Sequence, residues 1–403
     1  MTPSPTPRSA RLRWSTASEL LRLVHAEPGI ARTAAAERLH LASGAATELI
    51  ERLRTASLLS VRPAGRAGPG RPTTVLGAHP DGPLTAVVDL RSAGWTLALG
   101  DLVGETVQVA AEDYSGGSPE RSLEHIADAV AHAVRRAHGR VRAIVAAVAG
   151  TVSGTRLLQF SSRGWNEVDL DIVTSRLAPS HEIPMLAGND ATLAGIAEAR
   201  TGASRGARVA LHILVAAGVG GVLLVDGEPV TGARGAAGEY GHLPFGDPSL
   251  ECPCGARGCW DLMVDGRALA RHRGAEPPAD PYAYGRSLLA AIVHPNASDG
   301  DRRAAEITAR ALGGGIAGLV NLHDPDVVTI AGLAPALRSA APDCFAEGYR
   351  CGLMTFRRGA PPPVLDGFYG TDGPARGALG LGFDEITTPI ALERWAAHVP
   401  RIS

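Results

Sequence analysis

One spacing restricts this chain more than any other feature: His242-x9-Cys252-x-Cys254-x4-Cys259. An imidazole and three thiols in one short stretch make the closed tetrahedral donor set that structural zinc takes. Gly255, Gly258 and Pro253 lie among the cysteines and supply the tight turns that let the sulfurs converge. A catalytic metal would keep an open position, so His242, Cys252, Cys254 and Cys259 are expected to hold a structural Zn2+. A disulfide framework is the competing reading. It suits small secreted domains, whereas 403 residues can build a core without staples. Crowded thiols in a long chain point to a reducing compartment, and the expected location is cytoplasmic.

The chain divides into two styles. In residues 1–80, apolar Leu20, Leu21, Leu23 and Val24 predict a helix over 16–26 that Pro28 closes. A second helix follows over 32–39. After a turn at His40-Leu41-Ala42 comes a third over 43–56, with Ala46, Leu49, Ile50 and Leu53 on one stripe. Strands are predicted at 58–61 and 73–76, around a Gly/Pro/Arg loop. Three helices and a hairpin in this order make a winged helix-turn-helix. From residue 84 the pattern alternates: strands at 84–90, 96–102 and 143–148, helices at 122–138 and 191–200. A second set follows, with strands at 210–215, 222–225 and 327–330 and a long helix at 302–322. Residues 274–281 read as a surface insertion. Two αβ halves around a cleft fit this order, although no strong internal repeat is visible.

Charge sharpens the division. Residues 1–80 carry 11 Arg against 5 Glu, a balance of +6, inside a chain whose total is −2. A basic head on an acidic body suits a polyanion partner for the head alone, and equally an ordinary solvated surface, so motifs must decide. In a helix-turn-helix the third helix enters the major groove of double-stranded DNA. Its exposed positions here are Ser43, Gly44, Ala45, Thr47 and Glu48, poor in the bidentate base readers Arg, Asn and Gln. Affinity is therefore expected from phosphate contacts by Arg32, Arg52, Arg54 and the arm Arg8, Arg11 and Arg13. Arg66 and Arg71, the latter in Gly70-Arg71-Pro72, would enter a narrow minor groove or form a solvated wing tip; both readings stand. The 45% hydrophobic and 20% charged fractions fit a globular protein. No apolar run has membrane-spanning length and the N-terminus lacks an apolar signal core, so neither membrane nor export is expected.

Gly238-Glu239-Tyr240-Gly241-His242 and the run from Cys252 to Cys259 together resemble the signature of the ROK family (repressors, open reading frames, kinases). The resemblance covers nearly the whole chain, and the head with Gly70-Arg71-Pro72 is similar to the family's repressor branch, such as the xylose and N-acetylglucosamine repressors. It implies an α/β fold: a winged helix-turn-helix at 1–80, then a two-lobed, actin-like (ribonuclease-H-like) sugar-kinase body. Lobe 1 would span 84–190, lobe 2 with the zinc knuckle 191–385, and a tail 386–403. By the same resemblance Gly150, Asn189, Asp190, Glu239, His242 and Asp261 would bind sugar, with Arg163-Gly164-Trp165 lining the pocket. Asp190 would be the residual kinase-type base. His242 would face the sugar with the nitrogen that zinc leaves free.

Departures from the family pattern are equally informative. Its kinases carry Asp-x-Gly-Gly-Thr where backbone N–H groups approach ATP phosphates; this chain has Asp89-Leu90-Arg91-Ser92-Ala93. The second phosphate segment, Ala331-Gly332-Leu333, is also short of a glycine. No kinase activity is therefore expected. Arg91 itself leaves a sugar phosphate open as ligand. Asp261 is one methylene shorter than the family's usual glutamate, and Gly188 replaces a residue that is often polar. The expected function is a sugar-responsive repressor, a homodimer or tetramer on a palindromic operator, with a sugar or sugar-phosphate effector. Two alternatives remain: an ATP-dependent sugar kinase with a DNA-binding head, and a ligand-independent DNA-binding regulator with a decayed pocket.

Overall fold

The computed structural model describes residues 8–64, 74–114, 116, 118–178, 182–294 and 297–398. The head contains α1 (Arg8–Ala26), α2 (Arg32–Arg38) and α3 (Ser43–Thr55), followed by β1 (Leu59–Pro63) and β2 (Thr74–Ala78). β1 and β2 pair antiparallel from Leu59↔Ala78 to Pro63↔Thr74, and Ala31 adds a bridge to Val75. His40, at φ 51°, turns the chain between α2 and α3. The expected stripe of α3 is buried and meets Leu20, Leu21 and Val24. The first helix starts eight residues earlier than its apolar spacing indicates, because nothing from Arg8 to Ser15 breaks a helix. Arg66 and Arg71 lie outside the described residues.

The body begins with β3 (Leu84–Leu90), β4 (Gly94–Gly100), β5 (Thr106–Asp113), α4 (Pro119–Arg136) and β6 (Val141–Val148). A small antiparallel sheet, β7 (Thr151–Ser153), β8 (Arg156–Phe160) and β9 (Trp165–Asp169), leads to β10 (Met185–Asn189) and α5 (Asp190–Thr201). Next come β11 (Val209–Val215), β12 (Val219–Val225), β13 (Glu228–Pro229), α6 (Asp261–Val264), α7 (Gly266–His272) and α8 (Pro281–Ile292). The chain ends with α9 (Asp299–His323), β14 (Val327–Gly332), α10 (Ala334–Ala340), α11 (Pro342–Gly352), β15 (Val364–Asp366), α12 (Gly373–Ile386) and α13 (Pro389–His398).

The two large sheets share one plan. Their strand orders are β5-β4-β3-β6-β10 and β13-β12-β11-β14-β15. In each, a three-stranded antiparallel meander carries two parallel strands on its first member. A helix follows the last strand of each sheet, and these two helices, α5 and α12, pack on each other. The duplication that the sequence conceals is plain in topology: an actin-like, two-lobed α/β body. Among the described residues no helix is long and apolar enough to cross a membrane.

Nothing after residue 330 was legible as an element, and α12 shows why. Its sequence GPARGALGLGF reads as loop, yet its glycines serve close approach. A Cβ on Gly377 would stand 1.9 Å from the Leu193 carbonyl oxygen on α5. α12 also packs on β3 and β6. The segment set apart as a tail continues into α13, which lies along α1. Leu392 and Trp395 join the core of the head, and the Trp395 Nε1–H donates to the Ala56 carbonyl at 2.7 Å. His25 of α1 stacks on Phe383 of α12 at 4.2 Å. The head therefore shares one apolar core with the last two helices of the body.

Candidate functional site

Parallel strands deliver their C-terminal ends to one cleft, the usual place for a ligand in such sheets. β10 ends at Asn189 and α5 starts at Asp190. The turn after β6 supplies Gly150 and Thr151, and the tight turn between β11 and β12 is closed by Ala216 N–H donating to the Gly218 carbonyl at 2.8 Å. The cleft is open to solvent on one side, with a cavity volume of about 100 Å³. Gly150, Asn189, Asp190, Glu239, His242 and Asp261 all line it. So do Thr151, Gln159, Ser161, Ser162 and Arg267. Arg163 and Trp165 do not: the Arg163 guanidinium lies 4.4 Å from the Tyr114 ring centroid, and Trp165 is buried in the lobe core. They hold up the wall from behind.

Asn189, Glu239, Asp261 and Arg267 are each fixed by a partner. Asn189 caps α5, accepting from Thr192 N–H at 3.0 Å, while its Nδ2 donates to the Gly150 carbonyl at 3.1 Å. Glu239 accepts from Thr151 Oγ1 at 2.7 Å, a bond between the two lobes. Asp261, 4% exposed, faces Arg267 Nη2 at 3.2 Å. Arg267 also pairs with Asp265 at 2.6 Å and donates to the Ala217 carbonyl at 3.2 Å. Sequence reading missed Arg267, since nothing marks an arginine at the start of a seven-residue helix as part of a cleft wall.

Asp190 sits at the cleft floor, where burial pushes its carboxyl up to about 7, against the lowering effect of the Ala191 N–H that it accepts. The folded chain thus holds a proton more tightly than the unfolded chain, and this group's contribution to stability falls as pH rises from about 4 to about 7. Asp190→Asn keeps an acceptor for Ala191 N–H and removes the charge. It is expected to stabilise by roughly 1–3 kcal/mol at pH 8 and by nearly nothing at pH 4 in paired thermal melts.

The four candidate metal ligands converge beside this cleft, their ligand atoms all within 4.8 Å of one another. Cys254 Sγ lies 3.7 Å from Cys259 Sγ, and Cys252 Sγ 3.8 Å from His242 Nδ1. Metal–sulfur bonds of ~2.3 Å in a tetrahedron give an edge of about 3.8 Å, so the set fits. Gly255 at φ 95° and Gly258 at φ 69° make the turns, and Cys252 N–H donates to the Ala256 carbonyl at 2.8 Å. Burial pushes the Cys252 thiol up, and Cys259 up to about 11, so a cation is what would favour the thiolates. The neighbouring Trp260 is 1% exposed and donates to the Ala311 carbonyl at 3.1 Å, which ties the knuckle to α9. His242 Nδ1 faces the thiols while Nε2 stands 4.0 Å from Glu239 Oε2, so one ring touches both sites.

On the head, Ser43, Gly44, Ala45 and Thr47 are exposed in the first turns of α3. Arg32 donates to Thr47 Oγ1, which itself donates to the Ser43 carbonyl at 2.7 Å. Arg52 is half-buried in the last turn, and Arg54 pairs with Glu51 at 2.7 Å. Where phosphate glycines would stand, Arg91 pairs with Asp89 at 2.6 Å and donates to the Thr371 carbonyl at 2.9 Å.

The ROK family profile matches residues 87–350. A glucokinase of Streptomyces coelicolor is 29% identical over 163 residues, 37% of this chain and 51% of the enzyme, so the chain spans about half the length of such relatives. The xylose repressor of Bacillus subtilis is 26% identical over 107 residues, 27% of each chain. Among solved structures, a ROK family transcriptional regulator, a homologue of the E. coli MLC protein, aligns with a TM-score of 0.72 at 20% identity. That alignment covers 96% of this chain and 100% of the other, and shows the fold.

Proposed function

Because the chain belongs to the ROK family, we propose that it is a cytoplasmic, sugar-responsive transcriptional repressor of carbohydrate genes without kinase activity. Residues 1–80 would grip DNA, 84–190 and 191–385 would form the sensing lobes, and a homodimer or tetramer would meet a palindromic operator about one helical turn between half-sites. The observation that carries this reading is the core that the head shares with α12 and α13, helices rooted in the body. A sugar that favours one lobe arrangement then has a physical route to head position, provided it binds the two states differently.

In the cleft, Asn189, Asp190, Glu239 and His242 would take sugar hydroxyls, with Gly150 and Asp261 in the wall. Zn2+ held by His242, Cys252, Cys254 and Cys259 would supply a fixed scaffold rather than a reacting site. On the DNA side, Ser43, Gly44, Ala45 and Thr47 would approach base edges, and Arg32, Arg52, Arg66 and Arg71 the backbone or minor groove.

A single substitution tests the head. An added Cβ on Gly44 would meet nothing within 4 Å, so Gly44→Glu leaves the fold intact while placing negative charge against DNA. Fluorescence anisotropy with a duplex from the chain's own upstream region is expected to show binding weakened by about 10-fold or more at unchanged melting temperature. Equal affinity would place DNA elsewhere. A second reading, a kinase with a DNA-binding head, is favoured by the retained Asp190. ATP consumption with hexoses and aminosugars tests it, and robust turnover would establish it.

A further inference from the structure

A groove roomier than the cleft lies on lobe 1, between α4 and the strands β4 and β5. Its volume is about 450 Å³, within the ~300–1,000 Å³ common for small-molecule sites, and it shares no lining residue with the cleft. The floor is apolar. Leu84, Leu99, Val109 and Ala110 face it from the sheet, and Ala129, Ala133 and Ala137 from α4 and its C-cap. These alanines recur at four-residue steps, so they share one face of the helix. Their short side chains leave open the space that longer ones fill where a helix packs on a sheet. On β5, Val107 stays 68% and Val109 45% exposed. A second row, His132, Arg136 and Arg140, runs beside the alanines at the same spacing and lines the same groove. Among the described residues no acidic side chain lines the groove or pairs with these three. Glu112 and Asp128, on β5 and α4, are engaged by His125 at 3.1 Å and Arg176 at 3.4 Å. Arg140 is held in place by Nε donating to the Gly82 carbonyl at 2.9 Å. The carbonyl end of α4 opposes an anion, yet His138 and Arg140 N–H already donate to the Arg135 and Ala137 carbonyls there. Strand addition to β5, the outer strand of its sheet, is disfavoured. Leu97 pairs with Ala110 and Ala98 with Gln108, which leaves Val109 as a bulge that breaks the edge.

We propose that this groove is a ligand site separate from the cleft and that it takes an amphiphilic monoanion. An acyl chain or aryl body would lie along the alanine row, with its carboxylate between Arg136 and Arg140. A neutral apolar guest makes no use of the cationic row, and a small inorganic anion makes none of the floor. Only a molecule with both ends uses the whole groove. The proposal stands apart from the sugar reading of the cleft.

Titration calorimetry on the full metal-loaded chain tests this with decanoate, acetate and decyltrimethylammonium, each below its micelle-forming concentration. Decanoate is expected to bind once per chain, about 10-fold or more tightly than acetate, which lacks the tail, and than decyltrimethylammonium, which reverses the charge. Arg136 is exposed and has no carboxylate partner among the described residues, so Arg136→Glu should keep the melting temperature. It should weaken decanoate by about 10-fold and remove the penalty on the cation. Ala129 is half-buried at the groove, so Ala129→Leu should fill part of the floor without loss of stability. Its expected effect is about 5-fold weaker decanoate binding. Equal binding of decanoate and decyltrimethylammonium would reduce the groove to a plain apolar patch and overturn the proposal. So would non-saturating uptake of many decanoate molecules, or an affinity that either substitution leaves unchanged.

Discussion

Cys259→Ala is expected to empty the metal site and to lower the melting temperature by about 5 °C or more, a loss on the order of 3 kcal/mol. Cys259 is fully buried, and its sulfur lies 3.7 Å from Cys254. Removing it leaves one buried sulfur, one half-buried sulfur and an imidazole converging on a position with one tetrahedral corner gone. Structural zinc contributes folding free energy outright, about 10–16 kcal/mol in isolated fingers. Only part of that can appear here, because lobe 2 has a large apolar core of its own around α9, β11 and β14. The damage should concentrate between His242 and Val264 and reach α9 through Trp260, whose ring fills the space over Gly315. Metal analysis with calorimetry checks both halves, and Cys351→Ser, at an exposed thiol away from the cluster, should change neither. A metal-free wild type whose melting temperature ignores chelators would remove the knuckle from the account.

Trp395→Ala carries the second large effect, a destabilisation of about 3–5 kcal/mol. The indole is 7% exposed, donates to the Ala56 carbonyl at 2.7 Å, and has Arg142 over its ring at 5.8 Å. Truncation opens a cavity at the seam and strands a buried carbonyl at the end of α3. The loss should fall on the join between head and body, since the remaining contacts of α3 with α1 and β1 stay inside the head. Two readings separate a seam from a plain core defect. Melting should split into two transitions, and any sugar effect on DNA affinity should shrink while sugar affinity stays. A single, uniformly lowered transition with full sugar response would mean that α13 is merely structural.

Much of this was legible in the residues. The stripe of α3, the strand at 84–90 and the long helix α9 follow from periodicity, because each buries one face or both against a core. The metal cluster was readable because ligand chemistry leaves few alternatives to three cysteines and a histidine at that spacing. Other features depend on neighbours far along the chain. α12 hides behind glycines that only α5 explains, and α13 behind a proline and a short apolar set that only α1 explains. The bond from Thr151 to Glu239 exists because two lobes meet, and Arg267 joins the wall because the turn after β11 brings the Ala217 carbonyl to it from 50 residues away; no local pattern encodes either approach. The same is true of Arg91: its type was informative, but its carbonyl partner, Thr371, lies 280 residues away.

The central claim is that one chain couples a carbohydrate cleft to a DNA grip without phosphoryl transfer. Its most direct test is a titration of sugar into the chain bound to its upstream duplex, at fixed moderate salt and without nucleotide. The account predicts sequence-specific binding that one sugar shifts by about 5-fold or more, with a reciprocal shift in sugar affinity when DNA is present. Binding no stronger than to a scrambled duplex, or a complex indifferent to every sugar the cleft accepts, would contradict it.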